Sequence, residues 1–169
     1  MRSKFLALTA ATVMAGTAIA LSSTAANADD GGHRLIRFDS MIGNARPAVG
    51  AAGAVRGINA GGLPWVVAEA EGEVRADGRV KVEVEGLLID PNDPAAIARG
   101  LGGTNPAPTF KVIVSCKTPG GVVNVSTPEV AGGPTGTAEF EAKVALPSMC
   151  GDPIVFVTSG AGAWFVRTA

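Results

Sequence analysis

The sequence predicts an all-β fold: an antiparallel β-sandwich of about seven strands, with one short helix in a loop. Three observations lead there. Apolar and polar residues alternate with period two over several runs beyond residue 34, the mark of half-buried strands. Glycine and proline, 23 and 11 of the 169 residues, cut these runs into short segments. Two other runs are apolar on both faces, as the centre of a covered sheet requires. A partly open β-barrel meets the same pattern and is the alternative.

Residues 1–28 read as a secretory signal peptide. Arg2 and Lys4 make a positive n-region, Phe5 to Leu21 an apolar h-region, and Ala26-Asn27-Ala28 a small-x-small cleavage site. The exported chain is expected to begin near Asp29. Residues 29–34 are expected to be disordered, and residues 35–169 to form a single β-sandwich domain.

Leu35 to Met41 is the first expected strand. Gly43 to Gly62 is rich in glycine and alanine without a period, so it is either a surface loop packed by its few apolar residues or a flexible tether. Trp65 to Val74 alternates, with Val66, Ala68, Ala70, Gly72 and Val74 on one face. In Arg79 to Glu85, Val80, Val82 and Val84 oppose Lys81, Glu83 and Glu85. A two-residue Asp77-Gly78 loop would set Val74 opposite Lys81. A three-residue loop with Gly78 left-handed sets Val74 opposite Val80 and Glu73 opposite Lys81, which keeps both faces consistent.

Asp93 suits an N-cap, Pro94 the first helical position and Gly100 the stop, so a short helix is expected between Ile89 and Phe110. Phe110 to Cys116 and Ile154 to Thr158 are the two-sided apolar strands. Pro119-Gly120-Gly121 signals a turn into Val122 to Ser126. Thr137 to Leu146 places Ala138, Phe140, Ala142, Val144 and Leu146 on one face, and Ala163 to Arg167 is the last strand.

Several of these segments together carry a resemblance. Gly61-Gly62-Leu63-Pro64-Trp65, Asp77-Gly78-Arg79 before Val80 to Leu87, Pro108-Thr109-Phe110 with Val114-Ser115-Cys116, and Pro153 to Thr158 resemble a group of uncharacterised secreted proteins of actinobacterial type. More weakly, the strand, Asp-Gly turn, strand and Gly-Leu rhythm of Gly72 to Leu87 is similar to the CHRD domain, which implies an extracellular β-sandwich. The histidine-containing segment of that domain has no counterpart, His33 being the sole histidine, so no metal or binding role carries over.

Composition narrows the function. Of 14 Lys and Arg, Arg2 and Lys4 lie in the leader, leaving 12 against 15 Asp and Glu and a formal charge of about −3. A mildly acidic domain without a basic block argues against nucleic acid as partner. No apolar run after the leader reaches the roughly 18 residues of a membrane span. Cys116 and Cys150, the only cysteines, are expected to form a disulfide, for which chain entropy allows up to about 3–4 kcal/mol.

Catalytic constellations are sparse. A Ser-His hydrolase needs a base beside its nucleophile, and Thr158-Ser159-Gly160 lacks the glycine of a nucleophile elbow. One histidine cannot fill a transition-metal site. Glu69, Glu71, Glu83 and Glu85 share the outer face of the hairpin, with Glu71 opposite Glu83 and Glu69 opposite Glu85. They are a solvated face, weak candidates for Ca²⁺, or in part a glycosidase acid/base pair, which would need one carboxyl in an apolar cleft. Trp65 and Trp164 are the candidate binding platform, either exposed to a ligand or packed in the core. The expectation is a secreted, non-catalytic binding or structural module without a required cofactor, facing an unknown protein or carbohydrate ligand. A secreted hydrolase or a Ca²⁺-dependent adhesion module is the alternative.

Overall fold

A computed structural model describes residues 32–169; the leader assignment 1–28 and residues 29–31 of the expected disordered start lie outside the described residues. In chain order the strands are β1 (Arg34–Phe38), β2 (Ile42–Gly43), β3 (Trp65–Val66), β4 (Glu69–Arg75), β5 (Arg79–Glu85), β6 (Leu88–Ile89), β7 (Thr109–Thr118), β8 (Gly121–Ser126), β9 (Val130–Ala131), β10 (Ala138–Lys143), β11 (Gly151–Ser159) and β12 (Trp164–Arg167). One α-helix, α1 (Pro94–Ala98), and a 3-10 turn at Gly50–Gly53 complete the described elements.

Two antiparallel sheets pack face to face and neither closes into a barrel. Sheet A runs β1-β4-β5-β10. Sheet B runs β2-β12-β11-β7-β8, with β9 also against β7. Between them lie Val74, Val80, Val82, Val84 and Phe140 from sheet A and Phe110, Val112, Val114, Val155, Val157 and Val166 from sheet B, all essentially excluded from water. The period-two valines of the sequence are this interface, which buries apolar area from two sides at once.

The β4–β5 turn takes the three-residue form. Val74 faces Val80, Glu73 faces Lys81, and Gly78 has φ +89°. A Cβ at Gly78 would collide with the Val144 carbonyl, so both the left-handed backbone and the close approach demand glycine.

The long strand expected from Trp65 to Val74 is broken. Ala70, Gly72 and Val74 do face inward, but Val66 and Ala68 are exposed while Trp65 is buried. β3 leaves sheet A and pairs with β6, Trp65 opposite Ile89. Register is kept through the break, since Val66 faces Leu88 as Glu69 faces Glu85. The inward face nevertheless flips: odd-numbered Leu87 and Ile89 are buried beyond Gly86, which has φ +63°. Residues of both strands rotate together there, a change that alternation alone does not encode.

The start of the domain also differs from expectation. Arg34 already pairs with Arg75, and the Ala76 N–H donates to the His33 carbonyl at 2.9 Å. β1 stops at Phe38 rather than Met41, because the chain crosses there from sheet A to sheet B. The helix forms as its caps require: the Asp93 carboxylate accepts the Ala96 N–H at 2.9 Å, and Gly100 has φ +66°.

β7 and β11 are the two-sided strands. Ile113, Phe156 and Trp164 point away from sheet A into a second, smaller core. Gly43 to Gly62 covers it, through buried Ile58 and Ala60. This segment is therefore a packed loop and not a tether. The Cys116–Cys150 disulfide joins β7 to the loop entering β11.

Phe140 is 1 % exposed between the sheets. Phe140→Ala should lower unfolding free energy by about 3–5 kcal/mol with the fold retained, as read by denaturant titration.

Candidate functional site

The outer face of sheet A is built by alternation: whatever opposes a buried valine points into water. Read across the sheet, Arg37, Glu73, Lys81 and Glu141 form one row of alternating sign. The next row is Glu71, Glu83 and Glu139, three carboxylates on neighbouring strands. Glu69 and Glu85 follow. Every one of the four glutamates singled out in the sequence is thus on one face and in the expected register. Like charges opposed in this way repel, and exposure to water and salt moderates the repulsion.

Arginines hold part of this face. Glu73 accepts from Arg75 at 2.9 Å and from Arg34 at 3.2 Å. The Arg75 hydrogen bond, chiefly, holds the Glu73 carboxyl below its ordinary range. At the hairpin end Asp77 pairs with Arg79 at 2.7 Å and is likewise held low. A shallow depression lies over the middle, lined by Arg37, Phe38, Glu71, Gly72, Glu73, Lys81 and Glu83. Among the described residues, no group of three or more His, Cys, Asp or Glu is placed to hold a metal ion. Strand carboxylates stand side by side on a plane, whereas a Ca²⁺ site wraps its ion in oxygens.

Neither indole offers a face to a ligand. Trp65 is 5 % exposed and stacks on Phe165, with ring centroids 3.8 Å apart. Trp164 is 4 % exposed, lies under the Gly43 to Gly62 loop, and donates its Nε1–H to the Gly53 carbonyl at 2.9 Å. The platform expected at Trp65 and Trp164 is corrected on this ground. Adjacent Trp164 and Phe165 point to opposite faces of β12, and both faces are covered, one by the β3–β6 pair, where Trp65 stacks on Phe165, and one by the loop.

The residues that fasten the loop carry little sequence signal. Arg56, at φ +52°, donates to the Ser115 carbonyl at 2.9 Å, the Asp152 carbonyl at 2.6 Å and the Asp152 carboxylate at 2.8 Å. Asp152 also meets Lys117 at 2.8 Å, and that contact is the main reason its carboxyl is held low. Buried Asn44 donates through Nδ2 to the carbonyls of Gly61 and Leu63, both at 3.0 Å. Arg46 reaches Asp93 with two hydrogen bonds, tying the loop to the start of α1. Glu139 was legible as outward-facing but not as a member of the acidic row, because alternation does not say which strand lies beside β5.

Comparison of the chain with protein-family models, curated proteins and solved structures finds no match.

Arg56→Ala should cost about 1–3 kcal/mol, since it strips three hydrogen bonds from a mostly buried guanidinium. Acrylamide quenching of Trp164 should rise with it, because the loop over that ring loses its fastening. The Asp93 carboxyl is held below its usual range, first by the Arg46 hydrogen bond and also by the Ala96 N–H. Its folded value lies below the unfolded one, so its contribution to stability is complete above about pH 4 and fades as pH falls through the lowered value. The melting temperatures of wild type and Asp93→Asn should accordingly differ at neutral pH and converge in acid.

Proposed function

We propose that this chain is an exported binding module that recognises its partner with the outer face of sheet A and performs no chemistry. The observation that carries this reading is the inequality of the two sheets. Sheet B is covered on both faces at its β7, β11 and β12 centre, whereas sheet A is covered on one face and presents ordered charged rows on the other. Spacing on such a face is fixed by the ladder at about 4.8 Å between strands, so a rigid charge pattern is displayed at little entropic cost. A protein or carbohydrate partner carrying cationic or hydrogen-bond-donating groups would complement the Glu71, Glu83 and Glu139 row.

Export is read from residues 1–28, and the Cys116–Cys150 disulfide supports it, because such bonds persist in oxidising compartments. Among the described residues, no helix is long and apolar enough to cross a membrane. Within Gly61 to Trp65 only Gly62 is exposed, and the Gly61 N–H donates to the Trp164 carbonyl of β12.

The test uses the chain purified from the medium of an exporting host. Its mass should correspond to a start at Asp29 and lie two hydrogens below the reduced value. Immobilised, it should retain from that medium a partner whose capture weakens with salt and is lost in the triple variant Glu71→Gln, Glu83→Gln, Glu139→Gln, with melting temperature unchanged or raised. Turnover on polysaccharide or peptide panels would overturn the reading in favour of a hydrolase. A Ca²⁺-dependent rise in melting temperature that the same variant abolishes would overturn it in favour of an adhesion module.

A further inference from the structure

Sheets end on strands whose outer N–H and C=O groups have no ladder partner, and proteins guard such edges with charge, brevity or bulges. Three of the outer edges here are guarded. β1 carries Arg34 and Arg37 and has an irregular register between Arg34 and Ile36. β10 carries Glu139, Glu141 and Lys143. β2 is two residues long.

β8 has none of these devices. It is six residues long, Gly-Val-Val-Asn-Val-Ser, without a charge and in unbroken register with β7. Among the described residues no strand pairs with its other edge. Val122 and Val123 are 47 % and 38 % exposed. Val123 and Val125 point to the core side, opposite Cys116 and Val114, yet sheet A leaves them only partly covered. Met149, 59 % exposed, precedes the disulfide partner of Cys116 and adds apolar surface at the same end.

We infer that β8 is a self-pairing edge, through which two copies of this chain join antiparallel into one continuous sheet. The occupant follows from the strand's own pattern. A two-fold axis normal to the sheet keeps the core sides of both copies together, so facing residues must have equal parity. Centring that axis on Asn124 sets Val123 opposite Val125 of the second copy, Val125 opposite its Val123, and Asn124 opposite itself. Four valines then meet on the core side, and no like charges are opposed. Pro119 and Pro128 flank the strand, and neither can donate to a ladder, so pairing is confined to the residues between them. The contact is isologous and consumes β8 on both copies. Only guarded edges remain, so association stops at two. An edge of this length buries less than the roughly 800 Å² per partner of a standard interface, so the pair is reversible and concentration-dependent.

Light scattering and sedimentation of the chain purified from the medium test this, over a series from micromolar to near-millimolar. The mass should rise from one chain to two and stop there, and hydrogen exchange at 121–126 should slow in parallel. Asn124→Lys and Asn124→Asp should each stay monomeric with an unchanged β spectrum, because each opposes its own charge across the axis; both also give up the hydrogen bond from Asn124 Nδ2 to the Arg56 carbonyl (3.1 Å), a loss that mixing does not restore. Mixed one to one, they should recover the two-chain mass. A single-chain mass at every concentration would overturn the inference. So would a two-chain mass that both variants retain, or a failure of the mixture to recover what each variant lost.

Discussion

The structure depends on one requirement: the β7–β11 centre of sheet B is apolar on both faces and must be covered twice. Sheet A supplies one cover, and Phe110, Val112, Val114, Val155 and Val157 disappear against its valines. The other side holds Phe156, Ile113 and Trp164, and among the described residues no sheet packs on them. The chain solves this with a loop of small residues. Glycine and alanine let the backbone of 43–62 lie close to the sheet, and Ile58 and Ala60 are pressed into the aromatic floor. Backbone hydrogen bonds from Gly61 to the Trp164 carbonyl and from Trp164 to the Asn59 carbonyl run the loop's end along β12 almost as an added strand.

Fastening such a loop needs polar contacts, because its own side chains bury little. Arg56 and Asn44 provide them from opposite ends. Arg56 adopts a left-handed backbone, which is uncommon for a non-glycine residue, and the hydrogen bonds of its guanidinium offset that conformation. Asn44 caps the return of the loop by donating to the Leu63 carbonyl and to the Gly61 carbonyl, which also accepts the Gly50 N–H. Arg46 and Asp93 extend the same fastening to α1, so the helix-bearing loop and the glycine-rich loop are held as one surface.

Charge is distributed as burial requires. Sheet B, hidden on both sides at its β7–β11 centre, buries there no polar side chains but the uncharged Ser115 and Thr158. Sheet A, hidden on one, carries nearly all of the regular charge array, and its repulsion is tolerated because water reaches every carboxylate on the Glu71, Glu83 and Glu139 row. The face that can meet a partner and the edge that can meet a second copy therefore belong to different sheets. A β8 pair would leave both charged faces free and place them on the same side of one extended sheet.

The sequence by itself determined the period-two faces, the all-β class, the Gly78 turn with its register, the capped helix and the cysteine pair. Each rests on contacts between near neighbours, or on a pairing with a single solution. Four things were decided only by tertiary structure. The inward face flips at Gly86, because Trp65 stacks on Phe165, a residue one hundred positions away. Trp65 and Trp164 are buried, because the β3–β6 pair and the glycine-rich loop lie on opposite faces of β12. Glu139 completes the acidic row, because β10 and not another strand lies beside β5. β8 is left as the unguarded edge, because strand order assigns which strands end a sheet. Local pattern states which way a side chain points; only the packed chain states what it meets there.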